Sequence, residues 1–170
     1  MRTIASMVGR ELQWIQPSIF RRQYELRAGD IVVARLEWVK FFAMKARAES
    51  ADGHWLFDKT GIWKSTIVVR TKEDETPLMT FTENWFGKKQ QVMLPHGKTL
   101  LLQSDLFAWK STLTTSTGEP IVEMKRHSLW GNAYDVHLRR AGTSYEELPW
   151  LVLLQWYLLV LSRRRTQHAS

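Results

Sequence analysis

Along most of the chain apolar and polar residues alternate one by one. Val32, Ala34, Leu36 and Trp38 fall on one side and Arg35 and Glu37 on the other. That period of two marks a strand in a sheet with one dry face and one wet face. Met44, Ala46 and Ala48 oppose Lys45 and Arg47 in the same way. Stretches of this kind recur between turn residues. Leu12–Ile15 runs up to Pro17, and residues 24–26 and 31–38 flank Arg27-Ala28-Gly29-Asp30, a hairpin signature. Residues 54–57 follow Asp52-Gly53, and 62–70 follow Gly61. Beyond the charged loop 72–75 come 78–82, 91–94, 100–103, 109–115, 121–126 and 134–138. The pattern predicts about twelve strands.

The alternation stops at residues 148–161, LPWLVLLQWYLLVL, where Gln155 is the only strongly polar side chain. A helix that is apolar on every side belongs inside protein or inside lipid. From Trp150 to Leu161 it is about 18 Å long at ~1.5 Å per residue, short of the roughly 20 residues that a bilayer core requires. Ser144-Tyr145-Glu146-Glu147 reads as a capping box at its start, Pro149 suits a first helical turn, and Arg163, Arg164 and Arg165 suit the negative end of its dipole. A closed sheet of about eight strands holds only its own side chains, whereas about eleven enclose a central helix in one known can. The expectation is a mainly β fold, a closed antiparallel barrel of about twelve strands around a central hydrophobic C-terminal helix. The chain reads as one domain: a basic N-terminal segment over 1–23, strands over 24–143, the helix over 144–161 and a basic tail over 162–170. Trp63-Lys64-Ser65-Thr66-Ile67 is echoed by Trp109-Lys110-Ser111-Thr112-Leu113, a repeated hairpin unit.

Composition narrows the chemistry. With no cysteine, disulfides, thiolate metal sites and cysteine nucleophiles are excluded, and with no secretory h-region the expectation is a cytoplasmic protein. The net charge of +7 is uneven: residues 1–23 hold four arginines against Glu11, and the tail holds three more. The body is close to neutral, which disfavours a phosphate-backbone groove and hence a nucleic-acid partner. His54, His96, His127, His137 and His168 lack ligand spacing, Glu73, Asp74 and Glu75 read as a solvated loop, and no nucleophile elbow or phosphate loop is present. No catalytic residue, metal ligand or cofactor is expected.

With its strand series, its 24–26 and 29–31 hairpin, its Trp63 and Trp109 hairpins and its terminal apolar helix, the chain resembles the tubby C-terminal-like superfamily, which includes LURP-one-related proteins and phospholipid scramblases. The resemblance covers nearly the whole chain and is one of architecture. It implies a twelve-stranded barrel threaded by the helix, and the bare domain is most similar to the LURP-one-related branch. The missing cysteines and the missing Asp-x-Asp-x-Asp-Gly loop depart from the scramblases. Tubby-like proteins bind phosphoinositides through surface basic residues, which directs attention to three basic pairs: Arg21-Arg22, Lys88-Lys89 and Arg139-Arg140. The expected function is a non-enzymatic binding module for anionic phospholipid headgroups or a protein partner, peripheral to the membrane and without a transmembrane span. The alternative is a scramblase-like or tail-anchored protein whose helix leaves the barrel.

Overall fold

The computed structural model describes residues 1–18, 22–39, 44–61, 65–74, 76–83, 89–105, 107–129 and 131–168, with the side chains of 83 and 165–168 set aside. Twelve strands form one sheet: β1 (Leu12–Ile15), β2 (Gln23–Ala28), β3 (Ile31–Trp38), β4 (Lys45–Ser50), β5 (Gly53–Thr60), β6 (Ser65–Thr71), β7 (Pro77–Glu83), β8 (Gln90–Met93), β9 (Thr99–Ser104), β10 (Lys110–Thr115), β11 (Pro120–Arg126) and β12 (Tyr134–Leu138). The order is β7-β6-β5-β4-β3-β2-β1-β12-β11-β10-β9-β8. All paired neighbours are antiparallel, and only the β1–β12 pairing joins strands distant in sequence, which rolls the sheet up. Edge strands β7 and β8 face each other across a seam that Gln90 Nε2 bridges by donating to Thr82 O at 3.1 Å. The barrel is nearly closed.

Helix α1 (Leu148–His168) follows the strands and fills the lumen, every residue from 147 to 161 being buried. It lies closest to β3, β4, β5 and β10. Small inward residues line three of these: Ala34 on β3, Ala46, Ala48 and Ser50 on β4, and Ser111 on β10, all buried. Side chains of that size leave room for a helix ~10 to 12 Å wide. Elsewhere larger residues fill the gap, among them Leu36, Phe57, Ile67, Leu100 and Met124.

Two local expectations change. Of the two valines of β3, Val33 and not Val32 is fully buried, because the β2–β3 register skips it: Leu26 pairs with Ala34 and Arg27 with Val32. A bulge inserts one residue and shifts the alternation beyond it. At the helix start, Ser144 closes a 3-10 turn (Arg140–Ser144) and α1 begins only at Leu148, so the capping box does not form. Packing sets this turn, since a Cβ on Gly142 would lie 3.1 Å from both Ile121 and Leu148. The chain must bend tightly there to feed α1 into the lumen. The helix also runs on past Leu161 into the arginine segment, to His168.

Odd-numbered strands run toward one end of the barrel and even-numbered strands run back, as the pairs Trp14–Tyr134, Gln23–Glu37, Lys45–Asp58 and Lys110–Lys125 define. Helix α1 enters beside Ile121 and leaves at the end marked by those pairs. The entry end is stoppered by the N-terminal 3-10 turn (Ala5–Met7): Ile4 and Met7 are buried, and Ile4 N donates to Asp52 Oδ2 at 2.9 Å.

Candidate functional site

The exit end is built on an aromatic cluster. Trp156 of α1 stacks on Trp14 with centroids 5.0 Å apart and meets Tyr24 and Tyr134 edge-on at 5.4 and 5.1 Å. Tyr157 stacks on Trp38 at 5.1 Å, and its hydroxyl donates to Met44 O. Two of the arginines that follow lie over this cluster. Arg164 places its guanidinium 4.1 Å from the Trp38 centroid; Arg163 lies 5.5 Å from that of Tyr134 and donates from Nη2 to Asn132 Oδ1 at 2.6 Å. Burial draws Arg164 below its ordinary pKa and pushes the Tyr134 hydroxyl up. Arginine nevertheless remains a cation at neutral pH. The triplet therefore does more than complement a helix dipole: its first two members cover the barrel mouth.

Around the mouth the charge is strongly one-sided. Arg22, Lys45, Lys89, Lys110 and Arg126 sit in the loops or strand ends here, with Arg163 and Arg164 at the centre. Glu37, Asp58, Asp105 and Asp135 are acids in the same region, fewer than these cations, and Asp105 accepts Trp109 N–H at 2.6 Å. Most loop carboxylates sit at the entry end instead, including Asp30, Asp52, Asp74, Glu119, Glu146 and Glu147. Of the charge that reads as two tails in the sequence, Arg22, Arg163 and Arg164 come together at this end, while Arg10 stays at the other.

The described members of the three basic pairs, Arg22, Lys89, Arg139 and Arg140, do not meet. Arg22 and Lys89 share the exit end, but β2 and β8, to which they lead, lie six strand positions apart in either direction around the wall, on opposite sides of the mouth. Arg139 and Arg140 follow β12 at the entry end, both exposed, and Arg139 forms an ion pair with Glu123. Arg21 and Lys88 lie outside the described residues, as do Trp63 and Lys64 of the hairpin echo. Separations of this kind leave no compact headgroup pocket; they leave a broad cationic face.

That face also carries apolar residues. Phe107 is 71% exposed, Leu129 61%, Met44 45% and Trp109 41%. Trp109 opens the 109–115 stretch of the sequence pattern, yet it stands outside the core. It lies just outside β10, where the ladder no longer points it inward, and Arg126 covers one side of its ring at 5.5 Å. Between Phe107 and Trp109, Ala108 is buried with φ at 53°, a left-handed conformation that costs an L residue roughly 1 to 2 kcal/mol. Its carbonyl accepts the Tyr134 hydroxyl at 2.7 Å and its N–H reaches Asp105 O at 3.2 Å, which hold the loop in that shape. The sequence signal for this loop is DLFAW itself, an apolar run out of phase with the strands around it.

Other groups offer less. A groove of about 530 Å³ over short β1 is lined by Gln13, Arg27, His127, Asp135 and His137 among others. His127 Nδ1 lies 3.0 Å from Asp135, and Gln13 Nε2 donates to Asp135 Oδ1 at 2.8 Å. Burial would raise the Asp135 carboxyl, but these two partners hold it below its ordinary range. At the entry end His96, Glu146 and Glu147 bring their ligand atoms within 4.8 Å of one another. His96 and Glu146 are both exposed and 3.0 Å apart, a geometry that an ordinary surface ion pair explains. Asp74 Oδ1 accepts Thr76 N–H at 2.8 Å, so that acidic loop is held by its own backbone.

The chain is therefore a mainly β protein, a nearly closed twelve-stranded barrel with its C-terminal helix inside and one cationic end. No protein-family model, curated protein or solved structure matches it. No helix among the described residues is long and apolar enough to cross a membrane.

Proposed function

We propose that the chain is a non-enzymatic binding module of tubby-like type that docks its exit end on an anionic phospholipid surface, working as a peripheral protein at the cytoplasmic side of a membrane. The observation that carries this reading is the distribution of charge. Cations ring the helix exit on opposite sides of the mouth, an arrangement that suits a broad plane of negative headgroups better than one small ligand. Each lysine or arginine brought to such a surface contributes about 1 kcal/mol, within a Debye length of roughly 8 Å at physiological salt. A nucleic acid would share the salt dependence, and its bases could stack on the aromatic rings; the aliphatic Met44 and Leu129 on the same face favour lipid.

Vesicle sedimentation tests the reading. Wild type is expected to pellet with phosphatidylcholine–phosphatidylserine vesicles and to stay in solution with phosphatidylcholine alone. Lys89→Glu/Lys110→Glu, both exposed at the exit end, should weaken binding by at least roughly 2 kcal/mol, about thirtyfold. Arg10→Glu/Arg140→Glu, at the entry end, should change it little. Binding indifferent to lipid charge, or equal losses from the two ends, would leave a protein partner as the better account.

A further inference from the structure

Four of the seven large hydrophobic side chains that stand exposed among the described residues, Met44, Phe107, Trp109 and Leu129, gather at the cationic end. Phe107 and Trp109 stand on the β9–β10 connection and Leu129 on the β11–β12 connection. These connections are neighbours: β10 pairs with β11, and Arg126 N–H donates to Trp109 O at 2.8 Å just beyond the paired rungs. The left-handed Ala108 turns its own methyl inward and leaves the two aromatic side chains outside. Strained backbone held in place by several bonds tends to mark a site with a use for that shape. Lys110, Arg126 and Arg163 flank the pair of connections.

We propose that these two connections form an insertion wedge, with Phe107 and Leu129 entering the interfacial layer of an anionic phospholipid bilayer while the neighbouring cations bind its headgroups. The occupant follows from the combination: apolar tips need a medium that takes hydrocarbon, and the cations around them need negative charge at the boundary of that medium. Trp109, partly exposed with Arg126 over one face of its ring, would lie beside them as an amphipathic ring suited to the interfacial layer. The inference rests on the docking reading above and adds to it a component that salt does not screen.

The test separates the two. In low salt, wild type and Phe107→Ser/Leu129→Ser should both pellet with phosphatidylcholine–phosphatidylserine vesicles. In about 1 M salt, where the Debye length falls to ~3 Å, wild type should keep residual binding and the double variant should bind at least about tenfold more weakly. Wild type should also raise the pressure of a phosphatidylserine monolayer at constant area, and the double variant should not. Because both residues are exposed, the variant should melt like wild type; if it does not, Leu129→Trp, which should strengthen high-salt binding several-fold, decides instead. Wild type released by salt as completely as the double variant, with no monolayer insertion, would overturn the wedge and leave charge docking standing. Failure of wild type to bind anionic vesicles even in low salt would overturn both.

Discussion

Gln155 is the amide in the middle of an otherwise apolar helix. Its Nε2 donates to Ser111 Oγ at 3.0 Å, while its Oε1 is buried without a partner. One satisfied and one unsatisfied end nearly cancel, because a buried hydrogen bond contributes about 1 kcal/mol net and an orphaned buried acceptor costs roughly 1 to 3 kcal/mol. Gln155→Leu should therefore melt within about 1 kcal/mol of wild type. Gln155→Glu buries a charge at a site where the amide's one described partner is the Ser111 hydroxyl, and chemical denaturation should show a loss of at least about 3 kcal/mol. On the outer face of β2, burial would raise the Glu25 carboxyl. Arg27, 2.6 Å away, and Arg35, 3.3 Å away, more than offset that and hold it below its ordinary pKa. With the folded value depressed, the stabilisation is complete above the unfolded carboxyl pKa, about 4.3, and is lost as pH falls through the folded value. Glu25→Gln should flatten that acid limb of the stability curve, and thermal melts across the limb check it.

Among the elements, the strands were the most legible, because alternation reports a sheet with one dry face however the sheet is later rolled up. Each of the twelve stretches contains or overlaps a strand, and β1, β3 and β12 have the expected bounds. What alternation could not show were the events that break it. The Val33 bulge depends on the register against β2, and the 3-10 turn before α1 depends on Gly142 packing against Ile121 and Leu148, pairings that the alternation within one stretch does not report. The small residues of β4 are legible only in hindsight: Ala46 and Ala48 look like weak strand formers until the helix beside them gives their size a purpose. Ala48→Leu, overpacking that contact, should cost roughly 1 to 3 kcal/mol in equilibrium unfolding. Removing residues 148–170 should leave the inward faces of twelve strands with nothing to pack on. The truncated chain is expected to lose its cooperative melt; a sharp thermal transition in it would show that the helix is an accessory and not the core.

At the scale of the whole molecule, the candidate site became visible only once strand direction was known. Arg21-Arg22, Lys88-Lys89 and Arg139-Arg140 look equivalent as dipeptides, yet whether a turn follows an odd or an even strand decides which end it occupies. Arg22 and Lys89 go to the exit end and Arg139 and Arg140 to the other. Helix direction likewise places Arg163 and Arg164 over the mouth. In the docking proposed above, this end, and not the opposite one, faces an anionic membrane. A chain without cysteine allows that to be read directly from two single-cysteine variants, Leu129→Cys at the exit end and Met93→Cys at the entry end, both exposed positions. Each would carry the same polarity-sensitive dye and be titrated with phosphatidylcholine–phosphatidylserine vesicles. A blue shift and a rise in emission are expected at position 129 with position 93 unchanged; a shift at 93 with none at 129 would show that the opposite end docks.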